Sequence, residues 1–301
     1  MKARAYIWLL ALGACKHDAA TNQSVDPERA AALFDELVID VPPGESDLTV
    51  DDRGKIWAIA ERDRFASEIE LHGQGSALSA QIVEHPVDGV PDGNDTEGIA
   101  FLGGNKFALG IEGQEVPTAG VLFAELHADG HLVVTGTRNL TNADLGVELK
   151  NNHGAEAICG SGDDILVGIE ERGTFPDGTH WAPLVRLKGG PTGQLTLAKL
   201  HLTSDVGKIS ALDCRFAPDG SVDFAGIERH YGVERLLRGT VAPGATDVTP
   251  KIQLDLGPII HDKYNLEGIA RLADGRWVLV NDNQSKTIDG PTKLLVLKHE
   301  P

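Results

Sequence analysis

Acidic residues return at two fixed places in this chain. Glu97, Glu156 and Glu267 each open a short apolar phrase, and Glu61, Glu112, Glu170, Glu228 and Asp282 each close one. Carboxylates brought together repel unless a cation or hydrogen bonds satisfy them. A hard cation is one answer, since Ca²⁺ takes roughly six to eight oxygens from carboxylates, carbonyls and water. Glu97, Glu112, Glu156, Glu267 and Asp282 are the expected metal ligands, with Asn281 and Asn283 as further oxygen donors. The other answer is structural: each acid accepts backbone N–H groups and holds neighbouring elements in register. Arg62, Arg172 and Arg229 follow three of the closing acids. A guanidinium there takes a phosphate or carboxylate through two parallel bonds, or pairs with the acids beside it. Arg172 and Arg229 are the expected contacts to a substrate anion. His153 and His261 lie within six residues of an opening glutamate, and a histidine–carboxylate pair suits acid–base work. His153 is the expected base; His85, His180 and His230, with Tyr231 and Tyr264, are expected on the same side.

Other chemistries lack their residues. The chain has no H-E-x-x-H, no G-x-S-x-G, no S-x-x-K set and no P-loop. Lys and Arg total 27 against 45 Asp and Glu, a net charge of −18, which argues against a nucleic-acid surface. The hydrophobic fraction of 41% supports a packed core, and 35 glycines imply frequent tight turns.

These acids converge only if a repeated element carries them to one place. The phrase reads SDLTVDDRGKIWAIAER from Ser46, TEGIAFLGGNKFALGIEG from Thr96 and AEAICGSGDDILVGIEER from Ala155. It returns as ISALDCRFAPDGSVDFAGIER from Ile209 and LEGIARLADGRWVLVNDN from Leu266. Ser46, Glu97, Glu156, Ser210 and Glu267 are its anchors, 51 to 59 residues apart. That period, on short apolar runs broken by Gly and Asp, is a propeller signature, and helical periodicity is missing. Each phrase reads as two strands joined by a hairpin turn, followed by two more strands. The last unit is one strand short, and residues 37–41 (LVIDV) can supply it. The expectation is an all-β propeller of five four-stranded blades, favoured over six, closed by an N-terminal strand. In such a blade the first strand starts on the face where the second ends. The opening and closing acids therefore share one mouth of the central channel, with Asp47 beside Ser46, and the turns take the opposite face.

The phrases EGIA…DGRWVLVNDN, GAEAI…DDILVGIEE and ISAL…PDGSVDFAGIER resemble those of the phytase-like propellers, described as having esterase-like activity of phytase. The resemblance spans nearly all of residues 37–301. It implies a propeller and an activity on ester or phosphoester bonds.

The N-terminus reads as an address. Lys2 and Arg4 precede a short apolar run, residues 5–14, that ends in Leu12-Gly13-Ala14-Cys15 and resembles a bacterial lipobox. Residues 1–14 are the expected signal peptide, Cys15 the lipidated residue, residues 15–36 a tether and residues 37–301 the propeller. Asp26-Pro27 marks one short helix within the tether. Removal of the signal peptide carries the net charge from −18 to −20. The domain is expected as a monomer on the cell envelope, touching membrane only through its lipid. Cys159 and Cys214 sit at offsets from their anchors that differ by one residue. Two buried free thiols are favoured over a disulfide on that ground.

The first function expected is a calcium-assisted hydrolase of phosphoesters or other esters at the acidic mouth. The alternatives are a surface-anchored binding propeller for a protein or glycan, and a calcium-dependent, lactonase-like propeller acting on a neutral ester.

Overall fold

The structure, a computed structural model, describes residues 25–260, 264–283 and 290–300. The expected signal peptide, Cys15 and His261 lie outside the described residues.

Strand β1 (Phe34–Val38) comes first and is held for last in the topology. A four-stranded antiparallel run follows: β2 (Glu45–Val50), β3 (Ile56–Ala60), β4 (Phe65–His72) and β5 (Ser79–Asp88). The next is β6 (Asn94–Gly103), β7 (Lys106–Gly113), β8 (Ala119–Leu126) and β9 (Leu132–Leu140). Two parallel pairs between β5 and β9 join these runs into one sheet. Then come β10 (Ala155–Ser161), β11 (Asp164–Ile169), the short β12 (Gly173–Thr174), β13 (His180–Lys188) and β14 (Gln194–His201). They are followed by β15 (Lys208–Phe216), β16 (Val222–His230), β17 (Val233–Val241), the short β18 (Asp247–Val248) and β19 (Lys251–Asp255). The last run is β20 (Leu266–Arg271), β21 (Trp277–Asn281) and β22 (Lys293–Leu297), and β1 pairs with β22 as its fourth strand.

The opening strands stand side by side in a ring: β2 beside β6, β6 beside β10, β10 beside β15, β15 beside β20, and β20 beside β2. The fold is an all-β propeller. Its apolar residues explain the ring. One cluster lies between each neighbouring pair of sheets, such as Trp57, Ile59, Phe107 and Leu122 between the first two. Val280, Leu294, Ile56 and Ile69 fill the seam where the last sheet meets the first. Both faces of the inner strands are thus buried, so strands such as β3 and β21 read as continuous apolar runs. The turns after each opening strand carry Gly54, Gly104, Gly162, Gly220 and Gly275, all at positive φ.

Three expectations change. The closing strand is Phe34–Val38, not residues 37–41, because Phe34 is the residue that seats in the core beside Tyr264 and Leu297. Helix α1 (Pro27–Leu33) forms as Asp26-Pro27 suggests, with the Asp26 carboxylate accepting from the Arg29 N–H at 3.1 Å. It is docked rather than tethered, since Ala30 packs into the same cluster. Finally, Cys159 and Cys214 are bonded. Because β10 and β15 run side by side, the one-residue difference in offset still leaves their Cα atoms 5.7 Å apart, within disulfide span.

Candidate functional site

Every anchor of the repeat sits at the same irregularity. The β2–β3 ladder skips Ser46, β6–β7 skips Glu97, β10–β11 skips Glu156, β15–β16 skips Ser210 and β20–β21 skips Glu267. A β-bulge re-aims the extra residue. Here it turns the three glutamates toward the channel mouth. The next residue must then let the neighbouring opening strand pass. A Cβ on Gly98 would stand 2.7 Å from the Glu156 carbonyl oxygen, and one on Gly268 would stand 2.9 Å from Leu48 and Asp47. That is the local reason for Glu-Gly in EGIA.

The result is one acidic mouth. Glu61, Asp95 and Glu97 each bring an oxygen within 4.8 Å of one another. Glu61, Glu267 and Asp282 do the same, as do Glu97, Glu112 and Glu156. Each of the five expected ligands belongs to one of these sets. Burial and mutual repulsion push Glu97, Glu156 and Glu267 well above the usual carboxylate range. The same causes push Glu61 and Glu112 up to about 7. Glu112 accepts a hydrogen bond from the Glu97 carboxyl and another from the Gly154 N–H at 3.1 Å. The buried Oε2 of Glu61 has no hydrogen-bond partner among the described residues. This is a site short of positive charge, built only of hard oxygen donors, and a divalent hard cation fits it.

The mouth is lopsided. The fourth sheet opens with Ser210 where three others have glutamate, and Arg229 from β16 brings a guanidinium to the mouth. The Arg229 guanidinium pairs with Glu267, approaches Glu156 to 3.7 Å and donates to the Asn265 side chain at 2.9 Å. Lys208 adds an ion pair to Glu170 at 2.7 Å. Asn265 donates to Glu267 at 2.9 Å and to Asp282 at 3.0 Å. Cations of the chain thus pair with all three acids of the Glu156–Glu170–Glu267 side. Among the described residues, the Glu61–Asp95–Glu97 side has only Arg62, at 3.5 Å from Glu61 and 3.7 Å from Asp95, with its side chain 56% exposed.

His153 is brought to this mouth, its Nδ1 lying 3.4 Å from Glu170 and 3.5 Å from Glu171. Burial holds its pKa below the ordinary value. His230 stands beside it electrostatically, facing Glu170, Lys208, Arg229 and Arg172; burial pushes it down to about 4.

Several expected residues go elsewhere. Arg172 donates to the Asp205 carbonyl at 2.8 Å, on a loop outside the carboxylate sets. Glu228 is consumed by Thr203 and Ser204, whose hydroxyls donate at 2.5 and 2.6 Å. Asp47 follows its bulge instead of occupying it, so it points into the buried channel and accepts from the Leu48 and Ile99 N–H groups at 2.8 and 3.1 Å. Asn281 and Asn283 accept from the Lys293 and Gly44 N–H groups, which commits their oxygens. His85 lies between sheets against Trp57, ring centroids 4.8 Å apart, and bonds the Gly130 carbonyl. His180 meets Thr174 on the outer hairpin, and Tyr264 donates to Glu36 at 2.5 Å.

Sequence reasoning missed Asp95, Lys208 and Asn265. All three stand two residues before an anchor, where the other units carry Gly44 and Gly154. That position was the signal: it tunes the charge of the mouth sheet by sheet.

A sequence model of the phytase-like family, described as esterase-like activity of phytase, matches residues 42–285. No curated protein matches the chain. Among solved structures, the major Malassezia sympodialis allergen Mala s 1 is similar over 88% of this chain and 96% of its own, at 8% identity and a TM-score of 0.51. The PQQ-bound aldose sugar dehydrogenase of Streptomyces coelicolor is similar over 88% of this chain and 98% of its own, at 14% identity and a TM-score of 0.48. The likeness to Mala s 1 is one of fold. The family match spans most of the sequence, and the chain belongs to the phytase-like family.

Proposed function

As a member of the phytase-like family the protein is, we propose, a metal-assisted hydrolase of phosphoester or ester bonds, acting at the acidic mouth of a five-bladed propeller that β1 closes. One observation carries the reading: the three carboxylate sets overlap, sharing Glu61 and Glu97. Overlapping buried carboxylates of raised pKa hold either protons or a cation. Ca²⁺ is the cation of choice for an all-oxygen set, held by Glu61, Asp95, Glu97, Glu112, Glu267 and Asp282. Bound there, it supplies Lewis-acid polarisation of an ester or phosphoester oxygen.

The chain's own residues divide the rest. Arg229 is buried and committed, so it positions Glu156 and Glu267 instead of meeting substrate. His153, its Nδ1 turned to Glu170 and Glu171, takes a proton from an attacking water at Nε2. Arg62, exposed at the mouth, offers its guanidinium to an anionic substrate. The net charge of −18 disfavours a polyanion and favours a substrate with at most one phosphate. Acyl chains on Cys15 hold this monomeric domain to the bacterial cell envelope.

The test is a hydrolysis panel of aryl phosphate monoesters, carboxylic esters and lactones, with calcium and with chelator. Calcium-dependent turnover that falls ~100-fold in His153→Gln and Glu61→Gln supports the reading. Absence of turnover across the panel with calcium bound overturns catalysis and leaves a calcium-binding propeller.

A further inference from the structure

The face opposite the acidic mouth has its own cleft. It measures about 910 Å³ and lies between the β15–β16–β17–β19 sheet and the turn joining β20 to β21. Its walls carry Arg215, Arg238, Lys251 and Arg271, against Asp213 and Asp223. Four cations facing two acids is the reverse of the balance elsewhere, in a chain with a net charge of −18. The two acids are occupied. Asp223 accepts from the Thr240 hydroxyl at 2.6 Å, and Asp213 accepts from the Arg271 N–H at 3.4 Å. The Arg271 guanidinium is braced by the Trp277 ring, 5.6 Å from its centroid.

An anion already reaches these arginines. Glu300, beyond the last strand, sets one carboxylate oxygen 3.0 Å from Arg271 Nη2 and 3.6 Å from Arg238 Nη1. No sheet holds it there, and its side chain is 47% exposed. Two guanidiniums converging on one oxygen, with Lys251 and Arg215 in the same cleft, provide more positive charge than one carboxylate balances. A phosphate dianion uses such convergence fully, through several charge-assisted hydrogen bonds at once.

We propose that this cleft binds a phosphate-bearing small molecule, that Arg238 and Arg271 grip the phosphate, and that Glu300 is a displaceable internal stand-in for it. The site is independent of the acidic mouth and of any reaction there.

Titration calorimetry with pyrophosphate, in chelator so that no cation takes part, tests this on the intact protein. The expected result is one-to-one binding that weakens about tenfold in Arg238→Gln and in Lys251→Gln, the loss of one charged contact each. Glu300→Gln should tighten it about threefold or more, because the competing carboxylate is gone. Binding of undiminished strength in Arg238→Gln would put the anion elsewhere and overturn the proposal. So would an unchanged affinity in Glu300→Gln, or no binding by ~10 mM pyrophosphate. Malonate binding more tightly than pyrophosphate would overturn the phosphate assignment.

Discussion

Arg229, near the end of β16, pairs with Glu267 at the bulge of β20, and so crosses from one sheet to the next at the mouth of the channel. On the strand that pairs with β16 stands Ser210, the one anchor besides Ser46 that is not glutamate. Ser210 donates its hydroxyl to the Leu266 carbonyl at 3.1 Å, so the small residue also ties the two sheets. An internal guanidinium thus neutralises one side of a ring that the repeat makes acidic all round.

Removing that guanidinium strands two buried carboxylates. Arg229→Gln should cost about 3–5 kcal/mol, the usual loss when one partner of a buried pair is deleted. Urea unfolding measures it. Adding Glu267→Gln in the same chain should restore part of the loss. A loss under ~1 kcal/mol would mean that the pair does not hold the sheets together.

The mouth also sets a pH dependence. Glu61 and Glu112 are pushed up to about 7 and Glu45, buried against Ser67, up to about 8, from an ordinary 4.5. The native state therefore keeps protons that the unfolded chain has released, and stability falls as pH rises from 4.5 toward 8. His230, pushed down to about 4 from 6.5, works in the opposite sense, adding stability as pH climbs between those values and nothing above them. Between pH 6.5 and 8 only the loss remains. Thermal melts in chelator should show Tm dropping by several degrees over that window, and calcium should flatten the drop. A Tm that rises there would contradict the protonation states described.

The Cys159–Cys214 bond closes a loop with a sequence separation of 55 residues between two opening strands. Reduction, or Cys159→Ser with Cys214→Ser, should cost about 4 kcal/mol by loop entropy, seen as a lower unfolding midpoint. A midpoint unmoved by reductant would show that the ring needs no such staple.

Asp95 separates binding from folding. Its two oxygens accept from Gln114 at 2.6 and 2.8 Å, bonds that an amide at this position keeps in part. Asp95→Asn should change stability by less than ~1 kcal/mol and weaken calcium about tenfold. Calorimetry of the variant decides, and an unchanged affinity would remove Asp95 from the ligand set.

Much of this was legible in the sequence. The spacing of Ser46, Glu97, Glu156, Ser210 and Glu267 fixes the repeat, and the repeat places Glu97, Glu112, Glu156, Glu267 and Asp282 at one mouth. The direction of each side chain was not legible. Pattern alone cannot tell that Ser46 occupies a bulge and Asp47 follows it, since one residue of register turns a carboxylate from mouth to channel. Nor does spacing show competition among partners. Arg172 and Arg229 look alike in sequence, yet Arg172 finds a loop carbonyl while Arg229 finds Glu267. The disulfide escaped because offsets along single strands do not report how closely neighbouring strands approach.

Calcium titration of the intact protein, by calorimetry at pH 7.5, addresses the central claim most directly. The site described predicts one cation bound, displacement of protons from the Glu61–Asp95–Glu97 side seen as a buffer-dependent heat, and loss of both in Glu61→Gln with Glu97→Gln. No binding at millimolar calcium, with the protein folded, would contradict it and leave the acidic mouth as sheet-to-sheet scaffolding.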